Sequence, residues 1–276
     1  KETSKLRDEN TGMLQPYIFL SFSRSNYPAD DDKLKAFFHM VAQSILDREN
    51  ASREPGEPRV EAFWVDTHCV SHASPAEHTR DVNTICDAVR CAKRVYILLP
   101  NDKPEAKRSW GNRIWTLPEV LLAADKIRYC ITPSWGVDKI IPNVFREVSL
   151  TDMYQSFWPE LPPVYQASAG EGHGERHEDA ICHLIDHYTN RTKLSDLQLF
   201  TFAIQALAQL TTGPDIEGYT TTSLAYAAMG LMSYRLTPDE SDNTFQAIAR
   251  LSLVNDSDQL LERLLCLWPY PATQPP

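Results

Sequence analysis

Short apolar runs recur along the first half of the chain, each bounded by polar residues. Tyr17–Phe22, Ala62–Val65, Arg94–Leu99 and Ile127–Ile131 have the length and the flanks that are typical of buried strands. Pro100 ends the third run, because proline cannot donate a hydrogen bond to a neighbouring strand. The pattern predicts four strands.

Amphipathic segments separate these runs. The first, ending near Asn50, has its apolar positions at a helical period: Leu34, Phe37, Phe38, Val41 and Ile45. A second helix starts at a capping box, Ser74–Glu77, and a third is predicted from Leu117 to Asp125. Strands that alternate with helices in this way indicate βαβ units, so the fold class is α/β with an open parallel sheet flanked by helices.

The second half of the chain has a helical period, and we expect these helices to dock on the α/β core. Leu197, Phe200, Ile204, Leu207 and Leu210 form an apolar stripe suited to that contact. The predicted organisation is a lead at 1–16, the core at 17–165, a linker or loop at 166–176, a docked helical region at 177–268 and a flexible tail at 269–276.

Composition narrows the classes of function. The chain has 276 residues and a net charge of -10, which argues against general binding of nucleic acid or of anionic membranes. No apolar run approaches the length of a membrane span. The cysteines are scattered without a CxxC pair, so free thiols and a cytoplasmic location are expected. They are Cys69, Cys86, Cys91, Cys130, Cys182 and Cys266.

Candidate chemistry gathers where the predicted strands end. In an open parallel sheet, ligands bind beyond the carboxyl ends of the strands. Three segments meet that description: Ser21–Arg24, Asp66–Cys69 and Trp110–Glu119. No GxGxxG or GxxxxGK[ST] loop follows any strand, which counts against an ordinary dinucleotide or P-loop site.

The segment Arg108–Glu119 holds two tryptophans, two arginines and one glutamate. Indole rings stack on flat ligands, guanidinium groups bind phosphates, and a carboxylate stabilises a developing positive charge. A structural alternative is equally open: Thr116 is placed to cap the following helix, with Glu119 as the third residue of a capping box. The sequence leaves both interpretations of Glu119 standing.

Two further patterns favour structural interpretations. The pairs His173/His177 and His183/His187 have i, i+4 spacing, but no third or fourth metal ligand accompanies them. Cys69 lies beside His68, yet neighbouring side chains point in different directions and rarely form a nucleophile–base pair. We therefore expect no metal site and a buried structural thiol at Cys69.

The motifs also resemble a known family. The segment 62–70, AFWVDTHCV, resembles the W-I-D-x-x-C-I signature of the fungal heterokaryon-incompatibility (HET) domain, and 113–119, RIWTLPE, is similar to its R-x-W-T-x-x-E signature. The segment 92–98 looks like the strand between them. The opening L-S-Y-x-W-G of the family appears here as Leu20–Ser25 without Trp-Gly, although 21–24, SFSR, looks like the first-strand motif of TIR domains.

The resemblance implies a TIR-like, flavodoxin-like core that cleaves NAD or NADP as a substrate, with no separate cofactor, in programmed cell death. Glu119 would be catalytic by analogy with the glutamate of NAD-cleaving TIR domains. Asp66 would order the loops or bind a ribose hydroxyl, although a carboxylate that only accepts hydrogen bonds from loop amides is the structural alternative. Homo-oligomers would form on activation. The implied substrate-binding set is Ser21, Phe22, Ser23, Arg24, Asp66, Trp110, Arg113 and Trp115. The alternative function is a non-catalytic, self-associating signalling module, in which the Trp/Arg segment forms a protein interface.

Overall fold

A computed structural model describes residues 15–27, 30–71, 73–132, 144–158, 180–210, 221–233, 235–239 and 241–255. Its strands are β1 (Tyr17–Phe22), β2 (Ala62–Trp64), β3 (Arg94–Leu99), β4 (Ile127–Ile131) and β5 (Val144–Glu147). The helices of the core are α1 (Asp31–Ala51), α2 (Asp66–Cys69), α3 (Pro75–Asn83), α4 (Ile85–Cys91), α5 (Pro104–Gly111), α6 (Thr116–Leu122) and α7 (Leu150–Phe157). They are followed by α8 (Ala180–Tyr188), α9 (Asp196–Leu210), α10 (Thr221–Met229) and α11 (Thr244–Asn255).

The predicted α/β class with an open sheet is confirmed. The described strands form one sheet in the order β2-β1-β3-β4-β5, which is the flavodoxin-like order. The four strands expected from the sequence are mutually parallel. β5 was not predicted, and it pairs with β4 in the antiparallel direction. Strand order reverses between β1 and β3, so their carboxyl ends, at Phe22 and Leu99, flank the position where such folds bind ligands.

Alternate residues of the central strands face two separate hydrophobic cores. Ile18, Leu20 and Phe22 pack with α1 on one face of the sheet. Tyr17 and Phe19 join the larger core on the opposite face. We call these the α1 face and the α6 face. Ser21 follows the period of Tyr17 and Phe19, which directs a polar side chain into the α6 face.

On the α6 face, the helices of the second half of the chain pack outside α6. Helix α6 is buried from Thr116 to Leu121, and α8 packs against it. Buried apolar residues of α8 to α11, among them Leu184, Leu207, Met229 and Leu251, belong to the same hydrophobic core as the sheet. Gly230, just after α10, approaches α4 so closely that an added Cβ would lie 2.1 Å from Cys86 Sγ. The side chain of Arg90 donates a hydrogen bond to the carbonyl of Gly230 across the same contact.

Some local predictions were wrong. The helix expected after Ser74 divides at Thr84 into α3 and α4, although Ser74 does cap it by accepting from the Glu77 amide. The helix expected to reach Asp125 ends at Leu122. In α9 the buried positions are Leu199, Ala203, Ala206 and Leu207. The predicted stripe is only partly buried apart from Leu207, because small alanines let a neighbouring face approach more closely.

None of the helices in the described ranges is both long enough and apolar enough to cross a membrane. The predicted lead at 1–16, apart from its last two residues, the linker or loop at 166–176 and the tail at 269–276 lie outside the described residues, and so does the histidine pair at His173 and His177.

Candidate functional site

The predicted site centres on Glu119, whose side chain reaches the end of β1. Its carboxylate accepts a hydrogen bond from the Ser21 hydroxyl, with 2.5 Å between Ser21 Oγ and Glu119 Oε2. Trp110 Nε1 donates to the same Ser21 oxygen over 3.0 Å. Glu119 and Ser21 keep only 5% and 4% of their surface exposed. Ser21 thus connects the carboxylate on α6 to the indole on α5.

The capping interpretation of Thr116 and Glu119 is wrong. Trp115, rather than Thr116, is the residue that precedes the first turn of α6. The Thr116 hydroxyl points backwards and donates to the carbonyls of Gly111, at 2.9 Å, and Arg113, at 2.6 Å. Because the Glu119 carboxylate binds Ser21, it is a buried acid joining two elements that are 98 positions apart in sequence.

Burial sets the ionisation of Glu119. Desolvation raises the pKa of its carboxyl from 4.5 to about 7, since the charged form loses hydration. The positive charge of Arg113 and the Ser21 hydrogen bond lower the pKa, whereas the negative charge of Asp66 raises it. A carboxyl group that titrates near neutral pH can change its charge state under ordinary conditions. Such groups concentrate at functional sites, although buried structural acids also occur.

Arg113 and Asp66 complete the charged surroundings of Glu119. The Arg113 guanidinium donates a hydrogen bond to the carbonyl of Phe22, the last residue of β1. Asp66 is the first residue of α2, and its Oδ1 accepts from the Thr67 amide at 2.5 Å. The predicted gathering of three strand-end segments is therefore observed at the carboxyl edge of the sheet.

The first loop is fastened to α5. Ser23 is buried, and its hydroxyl lies 2.8 Å from that of Ser25. The Ser25 hydroxyl in turn lies 2.9 Å from that of Ser109. Asn26 donates to the carbonyl of Ala106 at 3.3 Å. Arg24 is exposed in the single turn that carries these residues. The loop and α5 together close over the carboxyl end of β1.

The tryptophans are core residues in this structure. Trp110 is fully buried and packs edge-to-face on Phe157, with ring centroids 5.3 Å apart. Trp115 is 8% exposed. The expected role of Trp110 as an open stacking surface is therefore contradicted in this conformation, because the surroundings of its ring are already filled. A flat ligand would reach either indole only after the closing segments moved.

The weaker candidates have local partners. Cys69 is exposed, rather than buried as expected, and partial desolvation of its sulfur raises the pKa of the thiol, which disfavours the reactive thiolate. His68 Nδ1 lies 3.1 Å from the Thr67 hydroxyl. His183 stacks on Phe202, and His187 accepts from the Leu194 amide. Within the described ranges, no group of three or more histidine, cysteine or acidic side chains is arranged to hold a metal ion.

A second buried acid, Glu49, was not anticipated. It lies on the α1 face, 7% exposed, where Arg128 Nη1 donates to its carboxylate over 2.8 Å and the Tyr96 hydroxyl also donates to it. Arg94 Nε lies 3.8 Å from the same carboxylate. Arg94 and Tyr96 on β3 and Arg128 on β4 were the signal in the sequence for a buried polar contact. Glu49 itself was not found, because its position in the sequence fits the exposed side of an amphipathic helix.

Comparisons of the chain with protein-family models, with curated proteins and with solved structures find no match.

Proposed function

We propose that the chain is a HET-like, TIR-like protein that hydrolyses NAD or NADP, with Glu119 as its catalytic carboxylate. The observation that carries the proposal is the position of Glu119: a buried acid with a pKa near 7, hydrogen-bonded to the end of β1 at the strand-order reversal. The HET-like signature motifs of 62–70 and 113–119 supply the substrate class.

The chemistry requires few groups. The bond between the ribose carbon and the nicotinamide nitrogen breaks, its electron pair leaves with neutral nicotinamide, and the ribose becomes an oxocarbenium-like cation. The Glu119 carboxylate stabilises that cation. Water then adds to the same carbon and releases one proton, which the carboxylate can accept. The products are nicotinamide, ADP-ribose or its phosphorylated form, and a proton.

Neighbouring groups would position the substrate. Arg113, at the Phe22 carbonyl, and the exposed Arg24 are suited to bind the pyrophosphate. Asp66 is placed near enough to influence the charge of Glu119 and is suited to a ribose hydroxyl. Because Glu119 is 5% exposed, catalysis requires the loop at 24–26 and α5 to separate. Self-association on activation is the proposed source of that opening.

The test is nicotinamide release from NAD and NADP by the purified chain, assayed at low and at high protein concentration. Wild type should release nicotinamide at high concentration, and Glu119→Gln should lose that activity while keeping its fold. The matched control is Glu105→Gln, since Glu105 is an acid on α5 whose side chain is 71% exposed. Equal turnover by Glu119→Gln and wild type would overturn the assignment of Glu119.

A non-catalytic, self-associating module is the second candidate. It is favoured by the closed site, with Trp110 and Glu119 almost fully buried, and by exposed apolar side chains such as Phe245, which is 79% exposed on α11. This alternative predicts concentration-dependent assembly in sedimentation experiments without any nicotinamide release. Release that depends on Glu119 would exclude it.

A further inference from the structure

A pocket of about 310 Å³ opens at the amino edge of the sheet, opposite the edge that holds Glu119. Its walls come from the start of β3, from the turn that leads into β4 with the first residues of that strand, and from the two residues that precede α7. The lining residues are Arg94, Ala124, Asp125, Lys126, Ile127, Arg128, Val148 and Ser149. This volume is at the lower end of the range for pockets that bind small molecules, about 300–1,000 Å³.

The lining of this pocket is cationic. Arg94, Lys126 and Arg128 contribute three positive side chains against the single carboxylate of Asp125. Arg128 is already paired with Glu49 at 2.8 Å on the adjoining α1 face. Arg94 also lies 3.8 Å from Glu49, so the three positive side chains of the lining face two carboxylates, those of Asp125 and Glu49, in a protein whose net charge is -10. A local basic pocket in an acidic protein favours an anionic ligand.

Arg94 has a guanidinium nitrogen that donates no hydrogen bond to any described residue. Its Nε is buried and has no hydrogen-bond partner among the described residues, since the nearest carboxylate oxygen, on Glu49, is 3.8 Å away. A guanidinium group has five N–H donors in a fixed fork, a geometry that matches a phosphate or a carboxylate. The Arg94 side chain is 34% exposed, so part of it stays accessible at the pocket, whereas the buried Nε itself is out of the reach of a ligand.

Lys126 supports the same conclusion. Its ammonium group donates to the carbonyls of Arg90, at 2.7 Å, and Ala92, at 2.9 Å, which fixes the group at the pocket. The pKa of Lys126 is lowered, chiefly by burial, and an anion nearby would favour the charged form again. Ala124, Ile127 and Val148 supply apolar wall beside these charges, which suits the carbon portion of a ligand.

We propose that this pocket binds a phosphate-bearing small molecule of about the size of a sugar phosphate, with Arg94 holding the phosphate. The ligand contacts neither Glu119 nor Ser21, so the site is independent of the function proposed for the opposite edge. An oxygen of the phosphate accepts from Arg94, Lys126 provides a second positive charge, and the apolar wall contacts the sugar.

The test uses the full chain and calorimetric titration with three probes: ribose 5-phosphate, inorganic phosphate and uncharged ribose. We expect saturable binding of ribose 5-phosphate, weaker binding of inorganic phosphate and none of ribose. Arg94→Gln should weaken ribose 5-phosphate binding at least tenfold, and Arg94→Lys should fall between Arg94→Gln and wild type because it keeps the charge without the fork. Arg59→Gln is the matched control, since the side chain of Arg59 is 65% exposed beside Glu61.

The same titration with Glu119→Gln separates this proposal from the proposed NAD chemistry, because the pocket should bind with unchanged affinity in that variant. Thermal melting without ligand confirms that each variant folds. Three results would overturn the proposal: no saturable binding of ribose 5-phosphate by wild type, equal affinity in a folded Arg94→Gln, or inorganic phosphate binding as tightly as ribose 5-phosphate.

Discussion

Glu49 and Glu119 are both buried, on opposite faces of one sheet, yet their surroundings differ in kind. Glu49, on the α1 face, lies between two guanidinium groups and a tyrosine hydroxyl. Glu119, on the α6 face, accepts from a serine hydroxyl and has a pKa raised to about 7 by desolvation. The α1 face balances its buried charge directly, whereas the α6 face makes ionisation of its acid costly. Costly ionisation is typical of acids that perform chemistry.

The largest expected effect is on the α1 face. Glu49→Gln leaves the Arg128 and Arg94 guanidinium groups without their carboxylate, and breaking a buried pair in this way costs about 3–5 kcal/mol. Because those arginine side chains remain 21% and 34% exposed, we expect the lower end, about 3 kcal/mol. Denaturant unfolding measures the loss, with Glu61→Gln as the exposed control. If the unfolding free energy falls less in Glu49→Gln than in the control variant, the contacts of Glu49 with Arg128 and Arg94 contribute little to stability.

Glu119→Gln should increase the free energy of unfolding, whereas Glu49→Gln decreases it. Folding raises the pKa of Glu119 from 4.5 to about 7. At any pH between these two values, the native state therefore keeps a proton on Glu119 that the unfolded state has lost. The stability contributed by the protonated carboxyl is fully present below pH 4.5 and is lost as pH rises through about 7.

Above that pH, the free energy of unfolding of Glu119→Gln should exceed that of wild type by up to about 3 kcal/mol, at about 1.4 kcal/mol per pKa unit. The measurement is the difference in unfolding free energy between the two proteins across the window from pH 4.5 to about 7. A difference that does not change with pH would contradict the raised pKa.

Gly230→Ala tests how the α6 face is covered. The added Cβ would meet Cys86 Sγ at 2.1 Å, so α4 and the end of α10 must separate. Overpacking of this kind costs about 1–3 kcal/mol, and we expect about 2 kcal/mol. Cys86→Ala in the same chain should recover part of the loss, because the sulfur that clashes is gone. Equal costs of Gly230→Ala with cysteine or alanine at position 86 would contradict the observed contact.

Ser21→Ala should have the smallest effect on stability. It removes the donor to Glu119 and leaves Trp110 Nε1 without its acceptor, at a cost of about 1–2 kcal/mol. It should also raise the pKa of Glu119 further, because the Ser21 hydrogen bond lowers that pKa at present. Nuclear magnetic resonance titration of the Glu119 carboxyl measures the change. An unchanged or lowered pKa would show that Ser21 does not favour the ionised form.

The sequence predicted the strands well and the burial of the site poorly. β1, β3 and β4 have the predicted bounds because an apolar run inside a sheet is a local signal. Helix α5 was missed since its residues are mostly polar and its buried contacts come from Ala106 and Trp110. The Thr116 cap was wrong because a hydroxyl can bond backwards to earlier carbonyls, which short-range spacing does not distinguish.

Long-range contacts explain the remaining differences. Glu49 was overlooked because Tyr96 and Arg128, its hydrogen-bond donors, are 47 and 79 positions away. For Glu119, the strand-end rule placed it near Ser21 and Asp66, and the structure brings these residues together. What the sequence could not predict is that α5 and the first loop close over the carboxylate, since that depends on the packing of whole helices.

The most direct test of Glu119 as the catalytic carboxylate is the pH dependence of kcat/KM for nicotinamide release by wild type at high protein concentration. This ratio reports the ionisation of the free enzyme. With Glu119 acting as a carboxylate whose pKa is about 7, kcat/KM should rise as pH increases through about 7 and then level off. In Ser21→Ala the rise should move to higher pH. A kcat/KM that is flat across this range, or a rise centred near the ordinary glutamate pKa of 4.5, would contradict catalysis by a buried Glu119 carboxylate.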